Sequence, residues 1–186
     1  METSMKHLVL LLLFPLFFAC AHKLTKSEAL KKVEENVEIL PELKGAKYSN
    51  IYFSGQPPLK NMAELKLKGF STVINLRQEK ENVYFASEEE KAVKEAGLSY
   101  VHAPMKGSEP LSDTKLKEIT EAVVAHRKEG KILVHCSSGN RAALWAGGHF
   151  FSDHGSSKEE AFEIAKRLGL TNRSLQKNLK NYLENK

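Results

Sequence analysis

The feature that most constrains the fold is a regular alternation of short apolar segments with amphipathic segments of helical period. Runs typical of strands lie at 51–53, 70–76, 99–103 and 132–134, and helical patterns lie between them at 61–68, 87–97 and 112–128. Three further helical segments begin near Arg141, Ser157 and Asn172. Strands separated by helices pair in parallel through right-handed crossovers. The alternation therefore predicts an α/β fold of three layers, with a mostly parallel central sheet of about four or five strands flanked by helices.

Chain length bounds the number of domains. Of the 186 residues, about 165 remain after the N-terminal segment described next, and this length suits one domain with a full hydrophobic core. A capping box at Thr25 and Glu28 predicts a helix from Thr25 to Leu40 that ends before Pro41. We therefore expect a linker and helix over residues 20–48 and the main domain over 49–186.

The N-terminal twenty residues have the pattern of a secretory signal. Lys6 and His7 precede an apolar run over 8–18, which is too short to span a bilayer comfortably, and Ala19 then marks a cleavage site. We expect a signal peptide over 1–19 and secretion across the inner membrane.

Residues 16–20 resemble a bacterial lipobox, in which the cysteine carries a lipid after cleavage. The resemblance implies lipidation at Cys20, and Ala21 after it favours anchoring in the bacterial outer membrane or periplasm. Ordinary secretion with an incidental cysteine is the alternative.

The cysteine count bears on the function. Cys20 and Cys136 are the two cysteines of the chain, so a lipidated Cys20 leaves Cys136 without a disulfide partner in an oxidising compartment. A lone thiol in a secreted protein favours a functional role, and a buried structural cysteine is the alternative.

A candidate active site lies where the apolar strand at 132–134 ends. A loop of small residues follows it, and Arg141 opens the next helix, so backbone N–H groups and the helix dipole converge on one spot. This field favours the thiolate of Cys136, and Arg141 offers a bidentate fork for an oxyanion. Ligands of parallel sheets bind beyond the carboxyl ends of strands. The predicted anion-binding thiolate site comprises His135, Cys136, Ser137, Ser138, Gly139, Asn140 and Arg141.

The sequence indicates no metal ion, cofactor or nucleic acid. Two cysteines and scattered histidines lack the spacing of metal ligands. The formal charge of +5 is modest, and its lysines alternate with glutamates on helices rather than forming a basic stripe with aromatic residues.

The His-Cys-x-x-Gly-x-Arg run at 135–141, with segments 51–57 and 72–77, resembles the bacterial phosphatase-like domain of beta-lactamase hydrolase-like proteins. That family is similar to the dual-specificity and tyrosine phosphatases that use a cysteine. The resemblance covers about 51–154 and implies a cysteine-phosphatase-like fold. It also implies that Cys136 attacks the phosphorus of a small molecule or phosphoprotein, forming a cysteinyl-phosphate, while the loop amides and Arg141 hold the phosphoryl oxygens.

Two departures from the phosphatase pattern concern the loop. Four residues separate Cys136 from Arg141, where these phosphatases have five, and four is the spacing of rhodanese-type sulfurtransferases. Ala142 stands where phosphatases have a hydroxyl residue that eases release of the thiolate. A smaller loop suits a sulfur donor, with a persulfide formed on Cys136.

The third departure concerns the general acid, which phosphatases of this type place on a loop about thirty residues before the cysteine. Glu109 and Asp113 are the candidates there, with the alternatives of a solvated carboxylate for Glu109 and a helix-start acid for Asp113. Persulfide transfer needs no general acid.

Arg77 lies at a strand end. It either contacts substrate anions or pairs with Glu79 or Glu81.

Three hypotheses follow. The first is a cysteine-dependent phosphatase that hydrolyses phosphate monoesters, and the second is a rhodanese-like sulfurtransferase. The third is a catalytically weak module that binds an anion or phospho-group.

Overall fold

The computed structural model describes residues 26–81 and 84–186 of the chain. The signal peptide expected over 1–19 and the lipidation expected at Cys20 lie outside the described residues. No helix in the described part is both long and apolar enough to cross a membrane. In chain order, the elements are α1 (Lys26–Lys31), β1 (Val33–Leu40), β2 (Leu43–Tyr48), β3 (Ile51–Ser54), α2 (Met62–Leu67), β4 (Phe70–Asn75), β5 (Lys80–Glu81), β6 (Tyr84–Phe85), α3 (Ala86–Glu95), β7 (Ser99–His102), α4 (Asp113–His126), β8 (Lys131–His135), α5 (Asn140–Ser152), α6 (Lys158–Arg167) and α7 (Arg173–Glu184).

The main sheet has six strands in the order β1-β2-β3-β8-β4-β7. The pairs β3 with β8, β8 with β4, and β4 with β7 are parallel, whereas β2 runs antiparallel to both of its neighbours. The predicted α/β architecture with a mostly parallel central sheet is confirmed. β5 and β6 form a separate small antiparallel pair.

The helix predicted from Thr25 to Leu40 is wrong beyond Lys31. Residues Val33–Leu40 and Leu43–Tyr48 instead form a β-hairpin that pairs with β3, so the sheet begins at Val33 rather than at residue 49. Val33, Ile39 and Leu40 are buried in the hydrophobic core in this arrangement, and tertiary burial of apolar residues outweighs a short helical pattern. The hairpin adds two strands, which explains a sheet larger than expected.

Helices cover both faces of the sheet. α4, α5, α6 and α7 pack on one face, and α2 and α3 pack on the other. α5 is buried on nearly every side because small residues let its neighbours approach. A Cβ atom at Gly147 would lie 2.6 Å from Leu179 of α7, and one at Gly148 would lie 2.6 Å from Leu116 of α4. This close packing holds the N-terminus of α5 in place at the end of β8.

Two partly buried histidines near the C-terminal end of α5 predict that the stability of the fold decreases in acid. Burial lowers the pKa of His149 and of His154 below their usual value of 6.5, and the charge of His154 adds to the effect on His149. The folded chain therefore binds fewer protons than the unfolded chain just below pH 6.5, so its stability falls as the pH drops through that value. Urea midpoints measured near neutral pH and near pH 5.5 should differ more for the native chain than for a His149→Gln/His154→Gln double variant. Equal differences would contradict this account.

Candidate active site

Backbone hydrogen bonds join the loop after β8 to the end of β3. The amide of Cys136 donates to the carbonyl of Ser54 at 3.4 Å, and the amide of Gln56 donates to the carbonyl of Ser137 at 3.3 Å. Gly139 has a φ of +86°, and a Cβ atom there would lie 3.2 Å from the carbonyl carbon of Ser54. Glycine is required at this position because the backbone is left-handed and the neighbouring chain is close.

The side chain of Asn140 fixes the other end of the loop. Its Oδ1 accepts from the amides of Thr171 and Asn172 at 2.8 and 2.7 Å, and its Nδ2 donates to Ser138 Oγ at 3.3 Å. The loop is thereby held between β3 on one side and the start of α7 on the other.

The loop forms one wall of a cleft of about 510 Å³ at the carboxyl edge of the parallel strands. Cys136 is fully buried and lines this cleft. The structure brings to the same cleft several predicted site residues, namely Cys136, Ser137, Ser138, Asn140 and Arg141. Glu81 and the segment 106–108 form other parts of its wall.

Arg141 is held in a fixed orientation by four acceptors. Its Nη2 donates to Glu81 Oε1 at 2.8 Å and to Ser137 Oγ at 3.3 Å, and its Nη1 donates to the carbonyls of Met105 at 3.1 Å and Leu76 at 3.4 Å. Burial alone would lower the pKa of Arg141, but the contacts with Glu81 and Cys136 raise that pKa above its usual value. The guanidinium is therefore a permanent positive charge beside the thiol.

Glu81 is a site residue that the sequence reasoning named only as a possible partner of Arg77. Burial would raise the pKa of Glu81, but its contacts with Arg141, the amide of Gln78 and Arg77 hold that pKa below the usual value. The carboxylate is therefore ionised at neutral pH, and it fixes the arginine fork rather than donating a proton. Glu81 lies in a strand of two residues, which is too short to produce a recognisable pattern in the sequence.

Arg77 is buried against protein groups and does not line the cleft. Its Nε lies 3.5 Å from Glu81 Oε1, its Nη1 donates to Gln56 Oε1 at 2.9 Å, and its guanidinium carbon lies 3.7 Å from the ring centroid of Tyr84. Of the two alternatives for Arg77, pairing with Glu81 is the one seen in the structure.

His135 lies beneath the loop in a buried polar network. Its Nε2 is 3.1 Å from Glu89 Oε1 but is not aligned for a hydrogen bond, and both side chains are fully buried. Glu89 also accepts from Gln56 Nε2 at 2.8 Å and from the hydroxyl of Tyr84 at 2.5 Å. Burial would raise the pKa of Glu89, but the charge of His135 and these donors hold it below the usual value. Tyr100 lies close enough to this network for the charge of Glu89 to affect it. Burial and that charge raise the pKa of Tyr100 to about 12, so its phenol is neutral.

The sequence does not single out Glu89, because it lies among other glutamates on a helix that has the pattern of a solvated face. α3 carries Glu88, Glu89 and Glu90 in succession, and of these Glu89 is the buried one. A helical projection alone does not distinguish it, because its partner His135 lies on a strand 46 positions later.

The two predicted general acids occupy different places. Asp113 accepts from the hydroxyl of Tyr182 at 2.7 Å and pairs with Lys186, away from the Cys136 cleft. Hydrogen bonds from Lys186 and Tyr182 lower its pKa. Glu109 follows the cleft-lining segment 106–108, and its exposed carboxylate pairs with Lys106 at 3.0 Å. Neither carboxylate lines the cleft, but Glu109 directly follows a lining segment, whereas Asp113 is paired with Tyr182 and Lys186.

This combination of fold and site defines a class. A mostly parallel sheet whose central strand is followed directly by a cysteine, then by a glycine-containing loop and an arginine in the first turn of a buried helix, is the arrangement of cysteine-phosphatase-like α/β domains. The chain belongs to the family described as the phosphatase-like domain of beta-lactamase hydrolase-like proteins, whose model matches residues 48–150. The family resemblance inferred from the sequence is confirmed.

Relatives and solved structures agree with this assignment. The beta-lactamase hydrolase-like protein of Xylella fastidiosa strain Temecula1 is 32% identical over 93 residues, which are 49% of this chain and 21% of that protein. This chain thus spans about a fifth of the length of the curated relatives it matches.

Among solved structures, P. aeruginosa TpbA has a TM-score of 0.65 at 20% identity, covering 87% of this chain and 93% of TpbA. A putative phosphatase from Shewanella putrefaciens CN-32 has a TM-score of 0.60 at 21% identity, covering 84% and 93%. A cysteine-to-serine form of TpbA, solved in complex with phosphotyrosine, has a TM-score of 0.61 at 18% identity, covering 83% and 98%. These likenesses establish the fold.

Proposed function

We propose that the chain is a cysteine-dependent phosphatase that hydrolyses phosphate monoesters through a cysteinyl-phosphate on Cys136. The observation that carries the proposal is the cleft in which Cys136 and a fixed, charged Arg141 lie together at the N-terminus of α5. Membership of a phosphatase-like family supports it, as does the phosphotyrosine complex of a structural neighbour.

The first chemical step forms the S–P bond. The Cys136 thiolate attacks phosphorus, the bond from phosphorus to the leaving oxygen breaks, and that oxygen takes a proton from a general acid. Arg141 and the loop amides stabilise the charge on the phosphoryl oxygens. Glu81 keeps the guanidinium oriented, so its positive charge is in place beside the thiol before substrate binds.

The second step hydrolyses the cysteinyl-phosphate and regenerates the free enzyme. Water attacks phosphorus, the S–P bond breaks, and the electrons return to sulfur as inorganic phosphate leaves. Ala142 supplies no hydroxyl to stabilise the departing thiolate. The phospho-enzyme is therefore expected to accumulate, with a burst of product in the first turnover.

Glu109 is our proposed general acid, because its loop borders the cleft and Asp113 is held elsewhere. Glu109→Gln should lower kcat/KM for phenyl phosphate, which reports formation of the cysteinyl-phosphate, by about 10²-fold, since this poor leaving group needs a proton. The kcat/KM for p-nitrophenyl phosphate, whose leaving group needs no proton, should fall less than about threefold. Asp113→Asn is the matched control and should affect neither substrate. Equal slowing of both substrates by Glu109→Gln would remove Glu109 from the mechanism.

Sulfur transfer is the second candidate function, and the four-residue spacing between Cys136 and Arg141 is the observation that favours it. In this reaction, the thiolate takes the outer sulfur of thiosulfate, releasing sulfite and leaving a persulfide on Cys136. Cyanide then removes that sulfur as thiocyanate and restores the thiolate.

One pair of assays distinguishes these functions. The purified, reduced chain is given an aryl phosphate in one assay and thiosulfate with cyanide in the other, and phosphate and thiocyanate are measured. Phosphate release is the expected result. Formation of thiocyanate without phosphate would overturn the phosphatase proposal. The absence of product in both assays would favour the anion-binding module.

A further inference from the structure

One face of α7 lies against the loop that leads from β7 to α4. We call residues 106–111 of this loop the cleft loop, because residues 106–108 form part of the wall of the Cys136 cleft. A Cβ atom at Gly107 would lie 3.3 Å from a methyl carbon of Leu175, so the backbone of the cleft loop packs directly on α7. The position of α7 therefore bears on the shape of the cleft.

The half-buried side chain of Asn178, on α7, makes hydrogen bonds with two backbone groups of the cleft loop. Its Nδ2 donates to the carbonyl of Glu109 at 2.7 Å, and its Oδ1 accepts from the amide of Leu111 at 2.9 Å. An asparagine amide carries both a donor and an acceptor, so one side chain can meet both backbone groups. The two bonds lie on either side of Pro110 and fix the loop there at two points.

The rest of the cleft loop is held by fewer contacts. Among the described residues, its backbone makes one further hydrogen bond, from the amide of Glu109 to the carbonyl of Lys106 at 3.4 Å. Just before the loop, the carbonyl of Met105 accepts from Arg141 Nη1 at 3.1 Å. The start of the cleft loop is therefore fixed by the arginine of the candidate active site, and its end is fixed by Asn178.

Glu109 lies between these two fixed points. Its carboxylate pairs with Lys106 at 3.0 Å, which directs the side chain toward the part of the loop that lines the cleft. Both side chains are exposed, so this ion pair holds the carboxylate only weakly and the backbone sets how far it reaches. A general acid must come within hydrogen-bond distance of the leaving oxygen, and a displacement of about 1 Å can cost a large part of the rate.

We propose that Asn178 is a positioning residue, which holds the backbone on both sides of Pro110 and so keeps Glu109 within reach of a leaving oxygen at Cys136. The inference rests on the proposed phosphatase function, in which Glu109 is the general acid. Asn178 does not line the cleft, so its effect on the reaction passes through the cleft loop.

The test compares two substrates that differ in their need for a proton. Asn178→Ala should lower kcat/KM for phenyl phosphate roughly 5- to 30-fold, the range expected for the loss of one to two net hydrogen bonds. The kcat/KM for p-nitrophenyl phosphate should fall less than about twofold, because its leaving group needs no proton. A loss of folded chain would lower both values equally, so the ratio of the two values reports the position of the acid rather than stability.

A second variant covers the case in which Asn178→Ala does not fold. Asn178→Asp has nearly the same shape, keeps an acceptor for the amide of Leu111 and loses the donor to the carbonyl of Glu109. It should lower the ratio in the same direction. Asn181→Ala, at an exposed asparagine one turn further along α7, is the matched control and should leave the ratio unchanged.

A double variant shows whether Asn178 acts through Glu109. With phenyl phosphate, kcat/KM of Glu109→Gln/Asn178→Ala should equal that of Glu109→Gln within about twofold, because a displaced loop cannot remove an acid that is already absent. Losses that multiply in the double variant would show that Asn178 acts independently of Glu109 and would overturn the inference.

The outcomes separate failure of the inference from failure of the proposed function. If Glu109→Gln lowers the ratio and neither Asn178 variant does, the positioning role is wrong and the phosphatase function stands. If Glu109→Gln leaves the ratio unchanged, Glu109 is not the acid and the role of Asn178 is wrong with it. If the native chain releases no phosphate from either substrate, both the function and the inference are wrong.

Discussion

Replacing Cys136 with serine should reduce phosphate release by at least about three orders of magnitude, because a serine hydroxyl at this position is not ionised and has no general base beside it. The change is nearly isosteric at a fully buried position, so the fold should be retained. Initial rates with an aryl phosphate, together with circular dichroism, check both parts of the expectation. Phosphate binding should survive, since Arg141 and the loop remain.

Cys20→Ser is the matched control, because it removes the other cysteine of the chain and leaves Cys136, Arg141 and the loop between them unchanged in sequence. Its rate should equal that of the native chain. Acid quenching during turnover of a ³²P-labelled substrate should trap label on the native chain and on Cys20→Ser, but not on Cys136→Ser. A Cys136→Ser chain that keeps more than about a tenth of the native rate would exclude the cysteinyl-phosphate mechanism.

The second large effect concerns stability. Glu89→Leu should lower the free energy of unfolding by about 3–5 kcal/mol, because it leaves His135 buried without its carboxylate and removes the acceptor of Tyr84 and Gln56. Urea unfolding followed by circular dichroism measures the loss. Glu88→Leu, on the exposed neighbour, is the matched control and should change stability by less than about 0.5 kcal/mol.

The pH dependence separates lost charge from lost packing in Glu89→Leu. The pKa of Glu89 is held below its usual value of 4.5, so its contribution to stability is present above that pH and is lost as the pH falls below it. The gap in stability between the native chain and Glu89→Leu should therefore narrow as the pH is lowered through about 4.5. A gap that is constant with pH would show that packing alone is responsible.

The sequence alone predicted much of the fold and the central motif. The alternation from residue 51 onward is local, since the periodicity of each segment depends on its own side chains, and it predicted the strands and helices of the parallel region. The loop from Cys136 to Arg141 was equally predictable, because a strand, a small-residue loop and a helix follow one another without interruption. At 33–48, the helical prediction failed because pairing with β3 decides that segment.

Contacts between distant segments lay beyond the sequence. Glu81 comes 60 positions before Arg141, and Glu89 comes 46 positions before His135, yet each lies at about 3 Å from its partner. Which of several neighbouring glutamates turns inward depends on how α3 and the β5–β6 pair pack on the sheet. Sequence by itself determined the cysteine and arginine of the candidate site and the layered fold, because these depend on adjacent residues. Tertiary structure alone decided which carboxylates contact Arg141 and His135, because folding brings these charged groups together from separate parts of the chain.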